Sequence, residues 1–288
     1  MSRPEIDDVT GVETTGHEWD GIKELNKPLP KWWLWVLYVT IIWSVAYWIA
    51  MPSWPLVADY TKGLLGYSQR AVVANSIANA RAAQSQYLDR IAATDLAGIK
   101  ADPDLLQFAL AGGQAAFGDN CAPCHGRGAQ GAVGYPNLND DAWLWGGTLD
   151  DIHHTLNVGI RSGHPDTRDN AMPAFGRDEL LEPAQISDVT DYVLSLSGLD
   201  ANAEAAERGK EIFAEQCAAC HGEDGKGDTE LGSPNLTDGI WLYGGTRDDI
   251  TDVIRNSRSG VMPAWDGRLS PETIKQLAVF VHSLGGGQ

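Results

Sequence analysis

All four cysteines of the chain lie in two hexamers, "CAPCHG" at 121–126 and "CAACHG" at 217–222. The hexamers sit inside a longer duplication, so whatever one copy folds into, the other must repeat. "FGDNCAPCHG" matches "FAEQCAACHG", and "YPNLNDDAWLWGGTLDDI" (135–152) matches "SPNLTDGIWLYGGTRDDI" (233–250). "MPAF" at 172 matches "MPAW" at 262, and "VTDYVLSLSG" (189–198) matches "LAVFVHSLGG" (277–286). The offset is 96 at the cysteines, 98 at the tryptophans and 90 at the methionines. The first copy therefore carries an eight-residue insertion just before its methionine, within "GHPDTRDNA".

Each copy reads as helical. A short helix runs into the cysteines, and Thr148-x-x-Asp151 and Thr246-x-x-Asp249 have the form of capping boxes opening a second helix. A third helix closes each copy; in the second, Ser270 caps it with Pro271 at its first position. No alternating strand pattern stands out, so the expected class is all-α.

Four chemistries compete for the cysteines. Four thiols permit three disulfide pairings in an oxidising compartment. A thioredoxin-like Cys-x-x-Cys wants a preceding strand and a βαβ setting, which the pattern lacks. Zinc wants four ligands, and Cys-x-x-Cys-His crowds three onto one turn. Covalent haem c suits the spacing: two thioethers three residues apart reach the two vinyl groups of one porphyrin, and the next residue sets an imidazole under the iron. Two matched motifs predict two covalently bound haem c, on Cys121 and Cys124 and on Cys217 and Cys220, with His125 and His221 as proximal ligands. Of the four methionines, Met1 starts the chain, Met51 ends an apolar run, and Met172 and Met262 open the repeated "MPA". Those last two are the expected distal ligands, and His/Met ligation favours outer-sphere electron transfer. No catalytic residue is expected. His153 and His154 have no counterparts in the second copy, His164 lies in the insertion, His282 on the closing helix and His17 before the apolar run; all five read as solvated or packed. Trp143, Trp145, Trp241 and Tyr243 read equally as pocket walls or as core.

Residues 32–51, "WWLWVLYVTIIWSVAYWIAM", hold twenty positions without a charge. A helix of that length covers roughly 30 Å, the thickness of a bilayer core. Tryptophans flank it at both ends, where amphipathic rings settle. A cleavable signal peptide would be shorter and nearer the start. Lys23, Lys27 and Lys31 precede the run and no Lys or Arg follows until Lys62. The expected topology is a single-pass anchor with a cytoplasmic N-terminus and periplasmic modules. The expected division is a cytoplasmic segment at 1–31, a transmembrane helix at 32–54, a helical linker at 55–107, and cytochrome c domains at 108–199 and 205–287. With 39 acidic and 21 basic residues the formal charge is −18. That excess argues against nucleic acid and for a basic protein partner.

The span, the two modules and "TTGHEWDGIKELNKPLPKWWLW" at 14–35 together resemble the CcoP/FixP family, the membrane-anchored dihaem subunit of cbb3-type cytochrome c oxidases. The resemblance covers nearly the whole chain, and no motif position departs from it. It implies two class I cytochrome c-like domains in the bacterial inner membrane, serving aerobic or microaerobic respiration. It also implies a cytochrome c or cytochrome bc1 complex as donor, and a monohaem cytochrome c subunit and the haem–copper subunit as partners. A proline carbonyl, from Pro136 and Pro234, would accept the proximal histidine's second N–H. The family's distal methionines are thought to cross, Met172 serving haem 2 and Met262 haem 1, whereas spacing alone favours each copy closing its own site. Two rivals remain at this level: a dihaem peroxidase, which needs an openable iron, and an electron-accepting subunit of a periplasmic dehydrogenase.

Overall fold

The computed structural model describes residues 5–285. The chain forms two compact units, one up to Ala83 and one from Gln84 onward.

The N-terminal unit opens with a two-stranded antiparallel sheet, β1 (Thr14–Trp19) and β2 (Ile22–Leu25). The all-α expectation fails here. Asp20 and Gly21 both take positive φ, 47° and 82°, the geometry of the two-residue hairpin turn for which Asp-Gly is suited. Pro30 then precedes α1 (Lys31–Ala50), none of whose side chains is buried. Thr40 donates to the Leu37 carbonyl and Ser44 to the Thr40 carbonyl, each at 2.8 Å. The Thr40 and Ser44 hydroxyls are thus satisfied by the helix's own backbone. Past Met51 the chain folds back, and the Leu64 and Leu65 amides bond the Ile49 and Ala50 carbonyls. Gly63 permits this return: its φ is +68°, and a Cβ there would lie 2.4 Å from the Ala50 oxygen. Helix α2 (Gln69–Ala93) follows.

The second unit holds α3 (Leu96–Ala101), α4 (Pro103–Asn120), α5 (Ala122–His125), α6 (Leu149–Val158), α7 (Pro183–Leu196), α8 (Ala203–Gln216), α9 (Ala218–His221), α10 (Arg247–Asn256) and α11 (Pro271–His282). The Thr148 and Thr246 hydroxyls cap α6 and α10, the reciprocal capping box forming at Thr246 and Asp249, and Ser270 caps α11 over Pro271. The closing helices, however, are exchanged between the copies. Helix α7 packs on α8, and α11 packs on α4. Only residues 197–202 separate α7 from α8, and so short a link makes sequential helices antiparallel neighbours. Copy one's closing helix is thereby committed to copy two, and α11 takes the vacant face of α4. One lobe is built around Ile99, Leu105, Phe117 and Leu277. The other gathers Val189, Val193, Phe213 and Ile250.

Matched glycines set both crossings. A Cβ on Gly113 would stand 2.3 Å from the Gln276 carbonyl oxygen, and one on Gly209 would stand 2.1 Å from that of Asp188. Only glycine lets the backbones approach so closely. Lys275 of α11 donates to the carbonyls of Ile91, Ala92 and Thr94 at 3.0, 3.0 and 2.7 Å, capping the end of α2 with a cation.

In the second lobe Asp191 is buried on α7, accepting from the Asn202 amide at 2.7 Å and from both terminal nitrogens of Arg247 on α10. The Arg247 hydrogen bonds hold its carboxyl below the usual carboxylate range. Charge-assisted bonds of this kind contribute about 1.5–3 kcal/mol. Asp191→Asn is expected to lower the urea midpoint by roughly 2 kcal/mol worth of stability at neutral pH. Because the folded carboxyl has the lower pKa, its stabilisation is complete above the ordinary carboxylate range and is lost as pH falls from that range through the lower folded pKa. The wild-type advantage should therefore vanish in acid, and an advantage persisting there would contradict this role.

Candidate cofactor centres

Each centre begins where a long helix ends. The Cys121 amide bonds the Phe117 carbonyl at 2.9 Å, and the His125 amide bonds the Cys121 carbonyl at 2.9 Å. The single turn α5 thus presents Cys121, Cys124 and His125 together. Cys217, Cys220 and His221 repeat the arrangement on α9, with 2.9 and 3.0 Å bonds. None of the four cysteines is paired. Burial and the adjacent thiols push Cys121 and Cys217 up to about 11, so neither is a thiolate at neutral pH.

The imidazoles are oriented from behind. His125 Nδ1 lies 3.0 Å from the Pro136 carbonyl, and His221 Nδ1 lies 3.1 Å from that of Pro234. A carbonyl only accepts, so Nδ1 carries the proton and Nε2 keeps its lone pair for a metal. Burial lowers both imidazole pKa values, opposed in part by these hydrogen bonds. The ligand-competent neutral form prevails at pH 7.

The methionines arrive from the opposite copy. Met262 exchanges backbone bonds with Ile160 at 2.9 and 3.0 Å and packs on the core that contains Cys121. Met172 packs with Phe175, Leu181 and Ile186, and its carbonyl accepts from Ser257 Oγ at 2.6 Å. The flanks are reciprocal: the Trp265 amide bonds the Leu156 carbonyl at 2.9 Å, and the Phe175 amide bonds the Ile254 carbonyl at 3.1 Å. The structure therefore brings Met262 to the lobe of His125 and Met172 to the lobe built on α8 and α10.

A cavity of about 690 Å³ opens where the lobes meet, lined by matched residues including Pro136 and Pro234, Trp143 and Trp241, and Leu144 and Leu242. Trp145 and Tyr243 do other work. A Cβ on Gly232 would enter the Trp145 ring at 2.2 Å, and Gly134 faces Tyr243 while its amide bonds the Leu242 carbonyl at 2.8 Å. These two aromatics knit the seam between lobes. Trp143 Nε1 is buried and has no hydrogen-bond partner. A lone buried donor on a cavity wall calls for an acceptor, and the two propionates of a haem provide one, so the residues present fit that group. Of the remaining histidines, His153 lies beside the Asn157 amide at 3.3 Å, and His164 Nδ1 accepts from the Asp166 amide at 3.0 Å.

The matched glycines Gly113 and Gly209 escape a motif search. Their signal is positional, since each stands eight residues before its copy's first cysteine inside a helical pattern where glycine costs stability.

Two Cys-x-x-Cys-His turns backed by proline carbonyls define a c-type cytochrome, and comparison with known proteins specifies which kind. Residues 11–58 match the family model described as the N-terminal domain of cytochrome oxidase-cbb3, FixP; residues 204–281 match cytochrome c oxidase, cbb3-type, subunit III; residues 110–197 match cytochrome c. The chain is 55% identical over 285 residues to the cbb3-type cytochrome c oxidase subunit FixP of Bradyrhizobium sp. (strain ORS 278), covering 99% of this chain and 98% of the relative. It is 56% identical to FixP of Azorhizobium caulinodans, covering 98% and 96%. It is 53% identical to the subunit CcoP of Azospirillum brasilense over the full length of both. The chain belongs to the FixP/CcoP family of cbb3-type cytochrome c oxidase subunits. Its role is that of an electron-transfer subunit of such an oxidase, carrying haem c in cytochrome c domains.

Proposed function

We propose that the chain is a two-haem relay, holding one haem c through Cys121 and Cys124 and a second through Cys217 and Cys220. Bound there, haem supplies reversible one-electron iron chemistry. The protein's part is to hold and insulate. His125 and His221 ligate through Nε2 while the Pro136 and Pro234 carbonyls fix each ring. Met262 completes the site of His125, and Met172 that of His221. The observation that carries this crossing is the reciprocal backbone bonding of the residue after each "MPA", Trp265 to Leu156 of α6 and Phe175 to Ile254 of α10. The domains at 108–199 and 205–287 are the sequence copies, and each working pocket borrows its closing helix from the other.

The anchor α1 is long and apolar enough to span a bilayer. Lys23, Lys27 and Lys31 at its N-terminal end favour a cytoplasmic N-terminus and periplasmic haem lobes. There the relay takes electrons from a cytochrome c or a cytochrome bc1 complex and passes them, through a monohaem cytochrome c subunit, toward the haem–copper subunit.

The formal charge of −18 steers a basic donor by long-range attraction. The rate of reduction of the membrane-bound complex by a basic cytochrome c should fall at least about tenfold as ionic strength rises from roughly 0.01 to 0.3 M, the range over which the Debye length collapses. A salt-independent rate would exclude electrostatic steering. Gentle purification tests the assignment itself: copper- and haem-bearing membrane subunits should remain attached, and a quinoprotein or flavoprotein in their place would overturn it.

A further inference from the structure

The N-terminal hairpin is unfinished as a folding unit. Two strands alone are marginal in water and need a packed face, yet the turn flanks Trp19 and Ile22 are 63% and 75% exposed. Trp19 and Ile22 oppose one another across the turn, so their side chains form one apolar tip. Ile6 and Val9, just before β1, are 68% and 92% exposed. The segment is acidic, with seven carboxylates against Lys23 alone between residues 5 and 25, and Glu18 and Asp20 stand at the tip itself. Five residues, 26–30, join it to the start of α1, so the hairpin cannot leave the membrane's edge.

We propose that this hairpin is a docking plug for a basic cytoplasmic loop of a partner membrane subunit of the oxidase. The charge decides between occupants. An anionic leaflet repels a carboxylate-rich tip, and Asp20 lies at its apex. Membrane proteins concentrate Lys and Arg in their cytoplasmic loops, so a neighbouring subunit presents the complementary charge at the same level. Trp19 and Ile22 supply the apolar anchor and the carboxylates the rim, the usual anatomy of a protein interface. The plug rests on the oxidase assignment and on the cytoplasmic placement of the N-terminus.

The test uses the full chain expressed with its complex. Trp19→Ser with Ile22→Ser, and separately Glu18→Lys with Asp20→Lys, should each lower the share of chain co-purifying with the copper-bearing subunit about tenfold. Covalent haem content and membrane insertion should match wild type in both. Benzoylphenylalanine in place of Ile22 should, on illumination of membranes, cross-link to a subunit polypeptide. Retention of both variants in the complex, or a label recovered on lipid, overturns the proposal. Cross-linking to a polypeptide of some other complex would leave a docking hairpin but refute the oxidase reading, so the two failures are told apart.

Discussion

In a chain whose second attachment motif has been removed by Cys217→Ala and Cys220→Ala, Met262→Leu is expected to strip the distal sulfur from the remaining haem. Met172→Leu is expected to leave that haem unchanged. Leucine conserves volume, and Met-to-Leu exchanges in packed sites usually cost less than about 1.5 kcal/mol, so the lobe should still fold. The ligand loss is the larger effect. Thioether ligation favours ferrous iron, and axial ligands span roughly 0.8 V of potential, so a fall on the order of a few tenths of a volt is expected. The thioether-to-iron charge-transfer band should disappear with it, and carbon monoxide should bind the opened site. If Met172→Leu does this and Met262→Leu does not, each copy closes its own pocket and the reciprocal pairing of the "MPA" segments has no bearing on ligation.

The second large effect comes from glycine. Gly209→Val places a side chain 2.1 Å from the Asp188 carbonyl and 2.9 Å from Val189 Cα, both backbone atoms that cannot rotate away. Separating α7 from α8 should cost about 3 kcal/mol or more and open the pocket of His221. Gly113→Val meets the Gln276 carbonyl at 2.3 Å and Phe280 Cβ at 2.5 Å and should open the pocket of His125 instead. Gly118 is the control, because a Cβ there meets nothing within 4 Å. Gly118→Ala, at an exposed position in the last turn of α4, should be neutral or stabilising by up to about 0.5–1 kcal/mol. Urea unfolding followed separately at each haem distinguishes the three, and equal, small losses at all three glycines would dismiss the exchanged crossings.

Features written in local chemistry were legible from the sequence. Capping by Thr148, Thr246 and Ser270 depends on residues three apart, and the span depends on an uncharged run. The exchange of closing helices is not local, and the repeat pattern points away from it, since identical modules suggest self-contained ones. Its cause was nonetheless present in the six-residue link at 197–202, too short to let α7 turn back on its own copy while α8 begins the next. The hairpin went unseen because β1 and β2 carry no clean alternation. Only Asp20-Gly21 announced it, through the turn that pair favours. Trp145 and Tyr243 could not be separated from Trp143 and Trp241 by spacing, because what distinguishes them is a glycine loop contributed by the opposite copy.

The central claim is that two haems are bonded to this chain, each through its own pair of cysteines. The mass of the intact polypeptide, taken after acid denaturation and solvent extraction, tests that most directly. The expected result is a chain heavier by two haems, reduced to one by Cys121→Ala with Cys124→Ala or by Cys217→Ala with Cys220→Ala. A polypeptide of unmodified mass, with pigment in the solvent or none at all, would contradict it.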